Sequence, residues 1–350
     1  MLGLTSPYTI AYLKKSIQWM VGLGFLLSIT LYAILGHPNI YPPNRLLIIP
    51  RGCTRHQLKE QLQKEGYIKY GVTFLWAAYL LRYHPRCTPG QYQLLGNMNN
   101  WQVVSMLRGG RQHPVKLTFS TAANKASLVD QLVRRIGINK EALAALLDDP
   151  KKLSSYGFTP ENVLTMFIPN SYEVYWNITP EQLLSKMHLA YQHFWNSTRM
   201  HKAKQIQLSP TQVSILASIV QAETNDLKEA ALIAGVYLNR LKRNMRLQSC
   251  PMLVYALRKK QSVVNRVLQK DTYINSPYNS YRKKGLPPGP IGLPSIAMID
   301  AVLNYIPHDY LFFSAKEDFS GLHYFTHDYT EHVKNAHKYR KALNKLNIMR

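Results

Sequence analysis

The pattern of hydrophobic and polar residues sets one long apolar run apart from many shorter segments. Residues Ser16–Gly36 carry no charge, and as a helix they would span about 30 Å, which matches the hydrocarbon core of a bilayer. Lys14 and Lys15 precede this run. Trp19 and Tyr32 lie near its two ends, where aromatic interface residues are common. Because a small-x-small cleavage motif is missing after the run, we predict an uncleaved transmembrane anchor at 16–36 rather than a signal peptide.

The basic N-terminal tail at 1–15 indicates how this anchor is oriented. Short basic tails usually stay in the cytoplasm, whereas long domains translocate largely regardless of their charge. Arginines also follow the span, at Arg45, Arg51 and Arg55, so the count of basic residues does not decide the orientation alone. We expect residues 37–350 to lie outside the cytoplasm.

Short segments of changing periodicity follow a proline-containing stretch at 37–44, which we predict to be a stiff linker. Leu46–Pro50 is typical of a short strand, Thr54 is placed to cap a helix, and Gly90–Leu95 alternates as a strand does. Further helices are predicted at Val72–Tyr83 and Trp101–Arg108, and a further strand at Val115–Phe119. Together these segments predict a small α/β unit at 45–119.

Helical periodicity dominates the next region, 120–205, which we predict to connect two domains. Its helices are expected at Ser127–Ile136, Lys140–Leu147 and Pro180–Phe194, and its aromatic segment Phe167–Trp176 is expected to be extended. The basic stretch Arg199–Lys204 predicts the boundary to a last domain at 206–346.

The last domain opens with a helix start signal, because Ser209 can act as cap, Pro210 occupies the first helical position and Gln212 the third. Further helices are predicted at Leu227–Lys242, Ser295–Asn304 and Thr330–Leu346, and strands at Tyr310–Ser314 and His323–Phe325. We therefore predict an α+β fold with an N-terminal transmembrane helix, a small α/β domain and a C-terminal mixed α+β domain.

Composition adds a strong positive charge to this picture. The net charge of +24 and the isoelectric point near 9.9 favour anionic partners such as nucleic acid, acidic lipid or a polyanionic cell wall. The basic residues are dispersed, however, with tight clusters only at Arg258–Lys260 and Arg282–Lys284. A general compositional bias with lysines on solvated faces explains the charge equally well.

Cysteine and histidine patterns predict neither a metal site nor a cofactor. Cys53, Cys87 and Cys250 form no CxxC pair, and we expect three unpaired thiols, with a Cys53–Cys87 disulfide as the alternative. Four C-terminal histidines are predicted to fall on a strand, a turn and a helix, without an HExxH motif: His323, His327, His332 and His337.

Candidate chemistry centres on Glu223, which continues the apolar stripe of the helix that begins at Ser209. Val213, Leu216 and Val220 precede it at helical spacing. A carboxylic acid in an apolar setting has a raised pKa and keeps its proton near neutral pH. Cleavage of a glycosidic bond requires such an acid.

Two further carboxylates lie near Glu223 in sequence. Asp226 and Glu229 are expected on a turn and on the exposed side of the next helix, where both would be solvated. One acid without a second carboxylate suits a reaction in which the substrate's own hydroxyl is the nucleophile better than it suits ordinary hydrolysis. The alternative interpretation of Glu223 is a helix-end glutamate paired with Arg240 or Arg246.

A loop rich in proline and glycine, Ser276–Pro294, strengthens the catalytic interpretation. Such a loop has little conformational freedom to lose on binding, and it would hold Asn279 and Tyr281 toward a cleft. The alternative is a surface turn without a ligand.

Several runs in the chain occur together in one known family. They are Phe167–Glu173, Leu216–Thr224, Ala234–Leu241, Met245–Ser249, Ser276–Arg282, Gly285–Ile291, Gly321–Phe325 and Glu331–His332. In this order they resemble the YceG-like endolytic murein transglycosylases, and the resemblance covers nearly all of 45–345. It implies that the unit at 45–119 is LysM-like and that the domain at 206–346 is catalytic.

The resemblance implies a lytic transglycosylase, a carbon–oxygen lyase that cleaves the β-1,4 bond between N-acetylmuramic acid and N-acetylglucosamine without adding water. Glu223 would protonate the glycosidic oxygen and then act as base while the muramic 6-hydroxyl closes a 1,6-anhydro ring. Gln248, Asn279 and Tyr281 match the family pattern and are expected to bind substrate. Internal cuts in nascent glycan strands would end their elongation.

The family also implies partners and a location. The partners are peptidoglycan strands, the lipid bilayer through the N-terminal helix, and peptidoglycan synthases. The location is the bacterial cytoplasmic (inner) membrane, with a single span and an extracytoplasmic catalytic domain. This chain departs from the family at Gln221, where many members have a second glutamate, and at Cys250 and Met252, where aspartate and threonine are common.

Two other functions remain open from the sequence. One is a noncatalytic, membrane-anchored peptidoglycan-binding scaffold of the wall-synthesis machinery. The other is a membrane-tethered nucleic-acid binder, which only the charge favours. The chain has no recognisable recognition helix and its lysines are dispersed, so we expect no nucleic-acid partner.

Overall fold

The computed structural model describes residues 7–41, 44–258, 264 and 267–346. They form a mixed α+β fold with one apolar N-terminal helix, as the sequence predicts. The chain divides into two compact units: the first runs to Lys116 and includes Glu173–Ile178, and the second holds Leu117–Tyr172 and the residues from Thr179 onward. The LysM-like domain and the division at 45–119, 120–205 and 206–346 stay predictions.

The N-terminal helix α1 covers Pro7–Leu31 and continues into a π-helical turn at Tyr32–Gly36. Its segment Tyr12–Gly36 is long and apolar enough to cross a membrane, and the residues at 12–33 are exposed. A signal sequence near an N-terminus can meet the same criteria of length and composition.

The first unit contains a two-stranded sheet with three helices. Its elements are β1 (Arg45–Ile49), α2 (Arg55–Lys64), α3 (Gly71–Leu80), β2 (Gly90–Leu94) and α4 (Asn100–Arg108). The strands β1 and β2 are antiparallel, with Leu47 opposite Tyr92. Thr54 and Asn99 close capping boxes at the starts of α2 and α4. These elements agree with the predicted segments to within a few residues at their ends.

Two of the residues predicted as a linker, Asn39 and Ile40, belong to this unit's core. Asn39 and Ile40 are 1% exposed. The Asn39 amide donates to the carbonyl oxygen of Tyr70, and its Oδ1 accepts the backbone N–H of Tyr70. Prolines at 42 and 43 lie outside the described residues.

The second unit begins with short elements around a second strand pair. They are β3 (Val115–Phe119), α5 (Lys125–Val133), α6 (Lys140–Leu146), α7 (Pro150–Ser154), a 3-10 turn (Val163–Met166), β4 (Asn170–Val174), α8 (Pro180–Phe194) and α9 (Ser197–Gln205). Strands β3 and β4 pair, and the division between the units falls within both. The predicted helices and extended segment are confirmed here, and α7 and α9 are additional.

Helix α9 spans the basic stretch at which a domain boundary was expected. Arg199 donates from Nε and Nη2 to the two carboxylate oxygens of Asp300, at 2.9 and 3.0 Å. The stretch is thus helical and bonded to Asp300, and the boundary at 205–206 stays a prediction.

The rest of the second unit holds the predicted catalytic domain. Its elements are α10 (Pro210–Glu223), α11 (Leu227–Lys242), α12 (Cys250–Arg258), a 3-10 turn (Gln269–Tyr273), α13 (Ile296–Leu303), β5 (Phe312–Ala315), β6 (His323–Thr326) and α14 (Tyr329–Lys345). The capping box of Ser209 and Gln212 is present. Helices α10, α11 and α13 share one buried core, and the Phe313 ring on β5 packs edge-on against Tyr237 of α11. Of the basic cluster 258–260, Lys259 and Lys260 lie outside the described residues.

Candidate active site

Glu223 is the last residue of α10, and its position follows from the apolar stripe of that helix. Val213, Leu216 and Val220 on the stripe are completely buried. Thr224 adopts an extended backbone and ends the helix. Glu223 therefore lies at the edge of the core, where the helix ends, and the residue is half-buried.

Two hydroxyl groups hold one oxygen of this carboxyl. Oε1 accepts a hydrogen bond of 2.7 Å from Tyr237 Oη, on α11, and one of 2.9 Å from Ser249 Oγ, just before α12. Among the described residues, no hydrogen bond reaches Oε2. An oxygen that accepts two hydrogen bonds is a poor place for the acid's proton, so the proton belongs on Oε2.

Burial raises the pKa of Glu223 above its ordinary value. The hydrogen bonds from Tyr237 and Ser249, and the charges of His323 and Arg240, oppose this rise without cancelling it. Desolvation thus favours the protonated acid, while the two hydroxyls remain in place to stabilise the carboxylate after the proton has left.

Arg240 does not form the ion pair that the alternative interpretation of Glu223 expected. It is 5% exposed, and its guanidinium donates to the carbonyl oxygens of Leu311 and Leu247, both at 2.6 Å, and of Arg246 at 3.3 Å. The side chain of Arg246 is exposed. Arg240 contributes positive charge near Glu223 while its donors bind backbone.

The prediction that Glu229 is solvated is wrong. Glu229 is buried, and its carboxylate accepts the backbone N–H of His323 at 2.6 Å and lies 3.0 Å from His323 Nδ1. The pairing joins α11 to β6, a long-range contact that the helix pattern does not contain. Asp226 is exposed, as expected, and caps α11 through the backbone N–H of Glu229.

The first half of the proline-rich loop is hydrogen-bonded to the segment that carries Ser249. Ser280 Oγ accepts the backbone N–H of Ser249 at 2.9 Å and donates to the Ser249 carbonyl at 3.2 Å. The backbone N–H of Gln248 donates to the Ser280 carbonyl at 3.2 Å. The loop is therefore connected to the Glu223 carboxyl through one residue, Ser249.

Of the predicted binding residues, Gln248 is the most open. Its side chain is exposed, and its backbone has the left-handed φ of +51°, which is strained for a residue other than glycine. Strain of this kind, next to a residue that contacts the acid, is common at functional sites.

Asn279 lies near the start of the loop, and its amide is fully hydrogen-bonded. It is 0% exposed, its Nδ2 donates to the carbonyls of Thr272 and Ile274 at 2.9 and 2.8 Å, and its Oδ1 accepts the backbone N–H of Tyr281. Its polar atoms thus hold the loop in shape, and it does not present them to a ligand.

Tyr281 is half-buried, and its hydroxyl lies 3.1 Å from the sulfur of Cys250. Burial, and then the neighbouring Cys250, raise the pKa of Tyr281 well above its ordinary value, so the hydroxyl remains a donor. Cys250 is exposed at the start of α12, whereas Met252 is buried in the core.

The second half of the loop is held by α10. The backbone N–H of Ile291 donates to Ser218 Oγ at 3.1 Å, and that of Ser295 to Gln221 Oε1 at 2.8 Å. Gln221 therefore fixes the loop's end. Gly289 packs so closely that a Cβ there would clash with the carbonyl oxygen of Glu161.

Tyr237 and Ser249 are the site residues that sequence reasoning missed. Both lie within runs that resemble the family, but neither has a periodicity that would aim it at Glu223. Within the described part of the chain, no group of three or more His, Cys, Asp or Glu side chains is arranged to hold a metal ion.

The cysteines of the described residues are free: Cys53 and Cys87 are buried, and Cys250 is exposed. The backbone N–H of Cys87 donates to the Cys53 carbonyl at 2.7 Å, so the two buried residues are neighbours on paired backbone.

Comparison with known proteins decides the family. The family model of the YceG-like family matches residues 47–338, most of the chain. The chain belongs to the YceG-like family. A crystal structure of a YceG-like protein from Listeria monocytogenes matches with a TM-score of 0.53 and 25% identity, over 83% of this chain and 98% of that one.

The chain is also similar to two proteins of known name. An endolytic murein transglycosylase of Bacillus subtilis is 26% identical over 313 residues, covering 85% of each chain. An endolytic murein transglycosylase of Streptococcus pneumoniae is 28% identical over 319 residues, covering 82% of this chain and 57% of the relative. The chain thus spans little more than half the length of the pneumococcal protein.

Proposed function

We propose that the chain is an endolytic peptidoglycan lytic transglycosylase. It cleaves the β-1,4 bond between N-acetylmuramic acid and N-acetylglucosamine in nascent glycan strands, leaves 1,6-anhydro ends and so terminates elongation. The carrying observation is the Glu223 carboxyl, which has a raised pKa, two hydroxyl donors on Oε1 and an unbonded Oε2 among the described residues. The names of the relatives support the substrate class.

In the first half of the reaction, Glu223 acts as an acid. The proton on Oε2 moves to the glycosidic oxygen as the bond between that oxygen and muramic C1 breaks. The bonding electrons leave with the oxygen, and C1 becomes oxocarbenium-like. The new carboxylate is stabilised by Tyr237 and Ser249, whose hydrogen bonds strengthen as charge develops on the acid.

In the second half, the same carboxylate acts as a base. The muramic 6-hydroxyl attacks C1, its proton returns to Glu223, and the 1,6-anhydro ring closes. No water is consumed, and the acid is regenerated. This balance explains why one carboxyl suffices, whereas hydrolysis commonly uses two.

We propose different roles for the three predicted binding residues. Gln248 is exposed beside Ser249 and offers its amide to the sugar chain, and Tyr281 offers a hydroxyl or a ring face. Asn279 is a positioning residue, because its amide donates to the backbone just before the loop and its Oδ1 accepts the backbone N–H of Tyr281 within it.

The proposed location follows from the N-terminal helix. We propose that Tyr12–Gly36 anchors the protein in the bacterial cytoplasmic membrane with the second unit outside the cytoplasm, where peptidoglycan and its synthases are found. The positive charge of +24 then favours the anionic wall.

A product analysis tests the function. Full-length protein is incubated with purified peptidoglycan, and the fragments are identified by mass spectrometry. We expect 1,6-anhydro-muramyl ends from the native chain and from Glu141→Gln, a matched change at an exposed glutamate. Glu223→Gln should give at least 100-fold fewer, the low end of about 10²–10⁴ for general acid–base catalysis. Equal binding without cleavage by native protein and Glu223→Gln would favour the noncatalytic scaffold.

A further inference from the structure

A buried polar network fixes the last turn of the N-terminal helix to the first unit. Asn100, the first residue of α4, donates to the Ile34 carbonyl at 2.8 Å and to Thr73 Oγ1 on α3 at 3.1 Å. Asn39 donates to Asn100 Oδ1 at 2.8 Å and to the Tyr70 carbonyl at 3.0 Å. Leaving such buried groups unpaired would destabilise the fold, so the network holds its members together. The helix end and the starts of α3 and α4 therefore form one rigid piece.

This network defines two ends of the first unit. Met98, which follows β2, accepts the backbone N–H of Asn39, so the end of β2 lies at the network. The five residues of β2 extend roughly 17 Å away from it. At the start of β2, the Pro89 carbonyl accepts a hydrogen bond from Asn177. Trp176, the neighbour of Asn177, therefore lies at the opposite end of the unit.

Aromatic and apolar side chains remain exposed around the network. Tyr70, Val72, Trp76 and Trp101 are 42%, 66%, 58% and 53% exposed, and we call these four residues the aromatic collar. Val72 and Trp76 share a face of α3 at i and i+4. The Lys69 ammonium lies 5.3 Å from the Tyr70 ring, at the edge of the collar.

The composition of the collar fits one environment best. Tryptophan and tyrosine are enriched where a membrane meets water, and lysine there reaches toward lipid phosphates. Grouped exposed tryptophans are otherwise unusual on soluble surfaces and mark interaction sites. The collar is also continuous with the apolar helix, because Trp101 directly follows the asparagine that binds the helix end.

We propose that the aromatic collar lies in the interfacial layer of the bilayer around the N-terminal helix and seats the first unit against the membrane surface. The proposal rests on the proposed membrane anchor. The first unit is then held against the membrane surface, and it is not connected to its anchor by a flexible linker.

Tryptophan quenching in proteoliposomes tests the collar. Full-length protein is reconstituted in lipids brominated near the headgroup end of their acyl chains, which quench nearby tryptophan emission. The quenchable emission is compared among the native chain and Trp19→Phe, Trp76→Phe, Trp101→Phe and Trp176→Phe. We expect Trp76→Phe and Trp101→Phe to lose a share comparable with that lost by Trp19→Phe, which reports the anchor. Trp176→Phe, the matched control at the opposite end, should lose none.

Each other outcome is informative. If only Trp19→Phe lowers the quenchable emission, the anchor is inserted but the collar faces water or another protein, including a second copy, and the proposal is overturned. If Trp19→Phe has no effect either, the proposed anchor fails as well, and the collar proposal falls with it.

Discussion

Tyr237 on α11 donates a 2.7 Å hydrogen bond to Glu223, although the two residues are 14 positions apart on successive helices. Glu223 continues an apolar stripe, and the buried Tyr237 reaches it from the neighbouring helix. The same tyrosine ring packs against Phe313 on β5. The acid is thus oriented by a side chain that is itself fixed by the core.

Removing this hydroxyl should change the pH dependence of activity. Tyr237→Phe takes away a donor that stabilises the carboxylate, so the pKa of Glu223 rises further. Because the first step needs the protonated acid, the alkaline limb of the pH–rate profile should move to higher pH. The rate should fall about 10- to 150-fold, since hydrogen bonds to charged groups are worth about 1.5–3 kcal/mol.

The matched control for this change is Tyr172→Phe. Tyr172 also donates a hydrogen bond, to the Ile168 carbonyl, but has no contact with Glu223. The variant Tyr172→Phe should therefore have the same alkaline limb of the pH–rate profile as the native chain. If Tyr237→Phe leaves the alkaline limb unchanged, the Tyr237 hydroxyl does not influence the pKa of Glu223, and the prediction is contradicted.

The raised pKa of Glu223 also predicts how stability depends on pH. Between its ordinary value of 4.5 and the higher pKa in the folded protein, the native state binds more protons than the unfolded state. The free energy of unfolding therefore falls as pH rises through this interval. Glu223→Gln lacks the titration, so its stability relative to the native chain should increase from acidic to neutral pH.

Chemical unfolding at several pH values measures this difference, with Glu141→Gln as the exposed control. A native chain that gains stability relative to Glu223→Gln as pH rises would mean that the carboxylate, not the acid, is favoured in the fold.

Arg240 should be essential for stability. Arg240→Met removes the donors to three backbone carbonyls and should lower the free energy of unfolding by about 2–4 kcal/mol. Arg246→Met, at an exposed position, should change it by less than about 0.5 kcal/mol. Urea unfolding of both variants tests the contrast, and similar values for the two would contradict the carbonyl contacts.

Asn279 should act through the loop. Asn279→Ala loses two donors and one acceptor, so we expect about 2–4 kcal/mol less stability together with lower kcat. The exposed Asn275 of the same region provides the control, and Asn275→Ala should change neither quantity. A variant Asn279→Ala with native stability and only a raised KM would assign the residue to direct substrate binding instead.

Thiol labelling should follow exposure. Under native conditions a maleimide should modify Cys250 first, because Cys53 and Cys87 are buried and burial raises the pKa of Cys87 to about 12. Mass spectrometry after unfolding without reductant should then find Cys53 and Cys87 reactive. If both stay unlabelled until a reductant is added, the protein contains the Cys53–Cys87 disulfide, the alternative considered from the sequence.

Local signals predicted most of the secondary structure. Ser209, Pro210 and Gln212 mark the start of α10, and its apolar stripe ends at Glu223, so periodicity and capping locate the acid. Both are properties of neighbouring residues, which a sequence contains directly. The family resemblance then located the loop that meets Ser249.

Long-range pairing accounts for what was missed. The helix pattern places Glu229 on an exposed face, but His323, from a strand distant in sequence, pairs with its carboxylate. The partner of Glu229 is set by how α11 and β6 pack, which local patterning does not encode. Asn279 is polar and lies in a rigid loop, and its amide donates to the carbonyls of Thr272 and Ile274 just before that loop; its predicted contact with substrate stays a prediction.

The fate of water during cleavage tests the central claim most directly. Peptidoglycan is digested by the full-length protein in water labelled with oxygen-18, and the new muramyl ends are weighed by mass spectrometry. A single acid that returns the 6-hydroxyl proton to itself predicts 1,6-anhydro ends without the heavy isotope. Reducing ends that carry oxygen-18 would contradict the account, because they would require an attacking water activated by a second group.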